Sequence, residues 1–308
     1  MPRVLIVGDQ VDCYRQLLEP MALPDWHASY LASPADVQGS MADVDFLFGP
    51  PDELVQLVPR CPGLQWAQSS WAGVAPLLEL PRRDYQLTGV KGFFGELMRE
   101  YVLGWLLALE RNIPSRAHGG TWQPSVDGAM VGKCLGIMGT GSIGSAVAKA
   151  AQGFGLQVRG LNSDGRPATG FNECFETADA VAFAQDLDYL VALLPATGAT
   201  NGLVSSKVLA ALKPGAVFIN AGRANCVATA DLEAALADGT VRAVVLDVLA
   251  REPLPTDDPL WNVDNLYITS HTAAPTLAAS VVALFADNYQ RFVAGQPLLH
   301  VIDFDRGY

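Results

Sequence analysis

The sequence predicts an α/β protein of two domains, one of them a doubly wound parallel sheet. Three observations carry this expectation. The chain has 308 residues, a length that points to two domains. From residue 134 onward, short apolar runs alternate regularly with helical patterns. At the head of that alternation Gly139, Gly141 and Gly144 stand at G-x-G-x-x-G spacing.

The elements follow in order. Residues 4–7, 45–48 and 64–68 read as strands, and residues 14–18 and 52–58 as short helices. Prolines at 20, 24, 34, 50, 51, 59, 62, 76 and 81 punctuate them. This is the pattern of a small α/β domain with a parallel sheet. Residues 96–111 are apolar at helical spacing, with Met98, Val102, Leu106 and Leu109 on one side, and read as a core helix entering the second domain. Six strands are then expected, at 134–138, 157–161, 189–194, 216–220, 243–248 and 266–269. Helical stretches at 205–212 and 231–237, the latter with Thr229 as N-cap, lie between them. A last helical pattern at 276–293, followed by a candidate strand at 298–303, is expected to fold back onto the first domain. The first domain is therefore expected at 1–96 with 277–308, and the second, which carries the glycine spacing, at 97–276.

The glycine stretch, KCLGIMGTGSIG, suggests why the second domain exists. An apolar run precedes it and the helix formers 146–151 follow, which is the strand–turn–helix setting this spacing needs. Gly139 permits the turn, Gly141 lets a pyrophosphate approach the backbone, and Gly144 lets the helix pack against the strand. Ser142 and Ile143 fall inside the turn. The helix behind them offers free N–H groups and a positive dipole end to phosphates. With 29 glycines such spacings also arise by chance, and an ordinary strand-to-helix turn is the plainer alternative.

Composition excludes several classes. Half the residues are hydrophobic, enough for two packed cores. No apolar run is long enough to span a bilayer. The opening MPRVLIVGDQ turns polar too soon for a signal peptide. Net charge is −12 without a basic stretch, so neither nucleic acid nor an anionic membrane is an expected partner. Five scattered cysteines (Cys13, Cys61, Cys134, Cys174, Cys226), none in a C-x-x-C pair, fit the reduced thiols of a cytoplasmic protein and give no metal site.

In an open parallel sheet, ligands bind beyond the carboxyl ends of the strands. Arg223 follows the strand at 216–220, Glu252 follows the strand at 243–248 that Asp247 nearly closes, and His271 follows the last strand. A guanidinium, a carboxylate and an imidazole thus emerge on the edge that carries the glycine turn. Hydride delivered from a nicotinamide to a carbonyl carbon leaves an alkoxide that needs a proton, and histidine suits that task near neutral pH. A carboxylate on its other ring nitrogen fixes the tautomer and favours the imidazolium. An arginine grips a substrate carboxylate bidentately and polarises the adjacent carbonyl. Together the three suit reduction of a 2-keto acid. Each also has a plainer alternative: a structural histidine, a loop carboxylate paired with Arg251, a surface arginine. His27 and His300 lie in the first domain, and His118 lies in a loop before the glycine strand.

The segments LQWAQSSWAGV, EYVLGWLLALER, LGIMGTGSIG, LLPATGATNGLV, INAGRA, LDVLAREPLP and ITSHTAA resemble the D-isomer-specific 2-hydroxyacid dehydrogenase family, most nearly its glyoxylate/hydroxypyruvate reductase branch. The similarity runs over about 64–276, including the spacing from Arg223 to Glu252 and on to His271. It implies a Rossmann domain beside a smaller flavodoxin-like domain, with the active site in the cleft between them, closure that excludes water, and a homodimer. It implies that Arg223 binds and polarises the substrate, that His271 is the acid/base, and that Glu252 partners it. Leu194, Pro195, Thr200, Ala221 and Gly222 would lie along the cofactor. Asp247 would contact the nicotinamide amide, although from its position alone it equally caps a turn. Gly73 and Val74 would offer backbone N–H groups to the substrate carboxylate. Ala75 and Ala224 depart from the family's usual acidic residue and glycine. A nicotinamide-sensing binding protein on the same fold, like the family's corepressors, is the alternative reading. The formate-oxidising branch carries glutamine where Glu252 stands.

NADP is the expected cofactor in preference to NAD. An NAD enzyme usually places Asp or Glu roughly 20 residues past the glycine turn, on the ribose hydroxyls. Here that place holds Asn162, followed by Ser163 as a hydrogen-bond donor and Arg166 as a candidate for the 2′-phosphate. Asp164 stands against this as a nearby negative charge.

Overall fold

The computed structural model describes residues 2–116, 128–305 and 307. It divides into two compact units, Met1–Lys91 with Thr276–Tyr308 and Gly92–Pro275. The first unit opens with β1 (Arg3–Val7), α1 (Val11–Leu18), β2 (His27–Leu31), β3 (Phe46–Gly49), α2 (Pro51–Leu57), β4 (Trp66–Ser69), α3 (Ala75–Leu78) and β5 (Gln86–Thr88). All five strands are parallel, in the order β2-β1-β3-β4-β5. That is the flavodoxin-like order. Alternate residues face opposite sides: Leu5, Val7, Leu47, Ala67 and Leu87 cluster with Leu54, Leu57 and Leu77 of α2 and α3. The sequence reading missed β2 and β5. β2 is an edge strand with no fully buried residue, and β5 is three residues long, so neither has a strong apolar signal.

The second unit begins with α4 (Phe94–Glu110), a few residues ahead of the expected boundary. Gly95 explains the early start: a Cβ there would lie 2.8 Å from Ala146 Cβ, so α4 is packed against its neighbour from its first turn. Then come α5 (Ile113–Arg116), β6 (Cys134–Met138), α6 (Ser142–Gln152), β7 (Gln157–Asn162), β8 (Glu173–Glu176), α7 (Ala180–Ala184), β9 (Tyr189–Ala192), α8 (Ser206–Ala210), β10 (Ala216–Asn220), α9 (Thr229–Ala237), β11 (Val241–Leu246) and β12 (Leu266–Ile268). Among the described residues the sheet has seven parallel strands, β12-β11-β10-β9-β6-β7-β8, and not the expected six. The additional β8, ECFE, is an edge strand with two exposed glutamates. The order reverses between β6 and β9, the switch point of a doubly wound sheet. Leu135, Ile137, Tyr189, Val191, Val217, Ile219, Ala243 and Val245 face α4 and α6, while Met138, Leu190, Ala192, Phe218, Val244 and Leu246 face the opposite layer. Burial on both faces explains why these strands read as continuous apolar runs. Thr229 is not the expected N-cap. It is the first helical residue of α9, after Ala228, and no side chain caps that end.

The chain returns to the first unit as α10 (Ala278–Val293). Phe285 stacks on Phe48 and on Trp66, with centroids 4.4 and 5.1 Å away, and Tyr289 meets Phe46 edge-on. The strand expected at 298–303 does not form. One antiparallel bridge, Thr88 to Val301, ties the tail to the edge strand β5. His118 lies outside the described residues, and His27 is exposed on β2.

Candidate active site

At the carboxyl edge of the seven-stranded sheet the loops touch through glycines. A Cβ on Gly139, whose φ is +104°, would lie 2.7 Å from the Leu193 carbonyl oxygen. One on Gly144 would lie 1.9 Å from the Gly139 carbonyl oxygen, and one on Gly222 2.5 Å from the Leu194 nitrogen. The loops after β6, β9 and β10 are therefore in backbone contact, and side chains there would force them apart. Gly141 is different. Among the described residues, no atom beyond its chain neighbours lies within 4 Å of a Cβ built on it, so their packing does not explain that glycine. It is the N-cap of α6, whose first turn carries no acidic residue and no side-chain cap. These residues fit a dinucleotide pyrophosphate.

Arg223 sits just past β10 on a turn held by one buried side chain. Asn220 Oδ1 accepts the Gly222 N–H at 3.1 Å, and its Nδ2 donates to the Arg223 carbonyl at 3.1 Å. The Arg223 guanidinium donates to the Gly222 carbonyl at 2.7 Å. Ala221 and Gly222 are buried, and Arg223 is half-buried.

Glu252 and His271 form the expected pair, Nδ1 to Oε2 at 2.8 Å. The other Glu252 oxygen accepts the Leu249 N–H at 2.8 Å. This commits Nδ1 and leaves Nε2 as the nitrogen for proton exchange. Burial pushes the Glu252 carboxyl up, but the His271 ring, the Leu249 N–H and the charges of His271 and Arg223 outweigh it and hold the carboxyl below its usual value. Arg223 is thus within electrostatic reach of the pair.

His271 stands on unusual backbone. Ser270 and His271 both occupy the left-handed region, at φ +53° and +59°. Each such non-glycine residue costs about 1–3 kcal/mol, so something must hold the turn. Asp247, buried just after β11, does so. Its Oδ1 accepts the Thr269 hydroxyl at 2.6 Å and the Thr272 and Ala273 N–H groups at 2.8 and 3.0 Å, and its carbonyl accepts the His271 N–H at 2.7 Å. Of the two roles open for Asp247, the geometry displays the turn cap.

The other cofactor-side residues occupy loops after β7 and β9. Asn162 is buried, its Nδ2 donating to Thr140 Oγ1 at 3.0 Å and to the Arg166 carbonyl at 2.8 Å, so it shapes the 162–166 turn. Ser163 is exposed. Arg166 is exposed and makes a two-pronged ion pair with Asp164 at 2.8–2.9 Å, which holds the Asp164 carboxyl below its usual value. Leu194 is buried and Pro195 exposed, while the buried Thr200 hydroxyl lies 2.7 Å from the Pro195 carbonyl and braces that loop. Gly73 and the buried Val74 follow β4 in the first unit. Sequence reasoning missed the braces Asn220 and Thr269, because a polar residue near a strand end shows no role until its partners are known.

Residues 103–273 match the model of the D-isomer specific 2-hydroxyacid dehydrogenase NAD binding domain. The chain is 31% identical over 218 residues, 70% of either chain, to glyoxylate/hydroxypyruvate reductase A of Escherichia fergusonii. It superposes on a D-isomer specific 2-hydroxyacid dehydrogenase family protein of Aeromonas salmonicida with TM-score 0.92, at 37% identity over 99% of both chains. With an NADPH-dependent glyoxylate/hydroxypyruvate reductase of Sinorhizobium meliloti, solved with NADP and sulfate, the TM-score is 0.87 at 28% identity over the whole of both chains. A doubly wound sheet with its glycine turn at the switch point, a histidine–carboxylate pair and a neighbouring arginine on the same edge, and these relatives lead to one conclusion: the chain belongs to the D-isomer-specific 2-hydroxyacid dehydrogenase family and is an NAD(P)-dependent enzyme of that family.

Proposed function

We propose that the enzyme reduces small 2-keto acids of the glyoxylate and hydroxypyruvate type to the D-2-hydroxy acid, with NADPH as the preferred donor. The observation that carries this reading is the His271–Glu252 pair, whose carboxylate feels the Arg223 charge, on the sheet edge that also carries the glycine turn. The bound nicotinamide supplies the hydride. Gly139, Gly141, Ser142, Ile143 and Gly144 hold the pyrophosphate, and Leu194, Pro195, Thr200, Ala221 and Gly222 line the cofactor. Arg223 grips the substrate carboxylate and polarises its carbonyl. Protonated His271 gives its Nε2 proton to the developing alkoxide while Glu252 holds the ring. Gly73 and Val74 are carried over from the family resemblance as amides for the substrate carboxylate.

The uncharged Asn162 and the nearby Arg166 support NADPH, and relatives solved with NADPH or NADP support it too. Arg166 must be shared between Asp164 and a 2′-phosphate. Catalytic efficiency with both cofactors, over a panel of keto acids, tests the reading: it should be higher with NADPH, and Asp164→Asn should widen the gap. A clear NADH preference would sink it. The homodimer and the cytoplasmic setting belong to the same proposal, and sedimentation of the purified chain checks the first. Among the described residues no helix is long and apolar enough to cross a membrane.

A further inference from the structure

We propose that Tyr101 and Thr269 are positioning residues for His271, acting through Asp247 on the turn that carries the imidazole. The proposal rests on the reading of His271 as the proton donor. The hydrogen-bond directions follow from what each atom can do. Asp247 Oδ1 already receives the Thr272 and Ala273 N–H groups, so it is an acceptor, and the Thr269 hydroxyl 2.6 Å away donates to it. A hydroxyl has one proton. The Tyr101 hydroxyl, 2.7 Å from Thr269 Oγ1, must therefore donate to Thr269. Burial and the Asp247 charge lift the Tyr101 hydroxyl above its ordinary value, so it keeps the proton that this direction requires, against the opposing pull of the Thr269 bond.

The chain of bonds runs from α4, through Thr269 after β12, to Asp247 after β11, and ends on the 270–273 turn. α4 is a firm anchor, because Met98, Val102 and Leu106 are buried in the core on either side of Tyr101. The turn needs such an anchor, since Ser270 and His271 are both left-handed without being glycine. Asp247 can hold the turn only if its own carboxylate is held. Thr269 fixes its rotamer, and Tyr101 fixes the direction of the Thr269 proton. Neither residue is proposed to touch substrate.

The test uses the full-length enzyme with NADPH and hydroxypyruvate. Thr269→Val should lower the single-turnover hydride-transfer rate about tenfold, while the NADPH dissociation constant and the keto-acid KM move less than twofold. Thr269→Ser should recover the parent rate to within twofold, a rescue that a purely steric role for the threonine would not give. Tyr101→Phe should cost a few-fold, and the Tyr101→Phe/Thr269→Val pair should be no slower than Thr269→Val alone. Thermal melts, run alongside, identify any variant that fails to fold, and the Ser variant then carries the comparison. An unchanged rate in Thr269→Val, or multiplicative losses in the pair, would overturn the relay. His271→Gln separates the two failures. If it keeps parental activity, the proton-donor reading fails and the relay with it. If it is inactive while Thr269→Val is unaffected, only the relay fails.

Discussion

The turn or the side chain of each residue proposed for catalysis is fixed by a neighbour. Asn220 bridges the turn bearing Arg223, and Leu249 and His271 share the two oxygens of Glu252. Arg223→Lys keeps the charge and loses the planar fork. It should bind keto acid poorly and keep its cofactor affinity, at a cost on the order of 1.5–3 kcal/mol in transition-state binding. Parental kcat/KM in that variant would mean that Arg223 is not the clamp. Glu252→Gln removes the carboxylate charge that meets the His271 ring while keeping the shape and one acceptor. Reduction should slow by roughly ten- to a hundredfold in kcat, while NADPH affinity stays close to the parent's. The His271 ring, the Leu249 N–H and the nearby charges hold the Glu252 carboxyl below its usual value against burial. An unchanged kcat in the variant would uncouple the two groups. The places of Arg223, Glu252 and His271 at strand ends were legible in the sequence, the first two because β10 and β11 are buried apolar runs, the third although β12 is a short, half-buried edge strand. Asn220 and Thr269 were not, because the bonds that matter link them to residues brought close only by folding.

The same contrast holds for elements. The central strands β6, β9, β10 and β11 are buried on both faces and announced themselves as apolar runs. β2, β5 and β8 are edge strands, and the tail at 298–303 joins its sheet by one bridge, so register and not local composition decides them. α4 shows how an element is held at its far end. Glu110, buried at its last residue, accepts from Lys133 Nζ at 2.6 Å, from the Tyr189 hydroxyl at 2.7 Å and from Arg242 at 3.1 Å. Burial raises its carboxyl, but these partners outweigh it and leave it below the usual value. A depressed folded value means stability that is present above the unfolded carboxylate value of about 4.3 and lost as pH falls through the folded one. Glu110→Gln should therefore destabilise by about 1–3 kcal/mol near neutral pH, several degrees in Tm. The gap between variant and parent should narrow at acid pH. Melts at pH 7 and pH 4 check it, and a gap that persists undiminished would contradict the assignment.

At the scale of the whole molecule, two parallel sheets of different strand order share one chain, with α10 returning to the first after the second is complete. Two domains were legible from length and from the change to a regular strand–helix pattern at residue 134. The proposed function requires turnover: NADPH would give its hydride to a 2-keto acid on the sheet edge carrying His271, Glu252 and Arg223. A protein that only sensed nicotinamide would bind the cofactor and stop. Incubation with hydroxypyruvate and NADPH deuterated at the transferring position of C4, followed by mass spectrometry and chiral separation of the product, tests this most directly. D-glycerate carrying one deuterium at C2, formed over many turnovers and lost in His271→Gln, is the expected product. Tight NADPH binding with no deuterium transferred to any keto acid would contradict it.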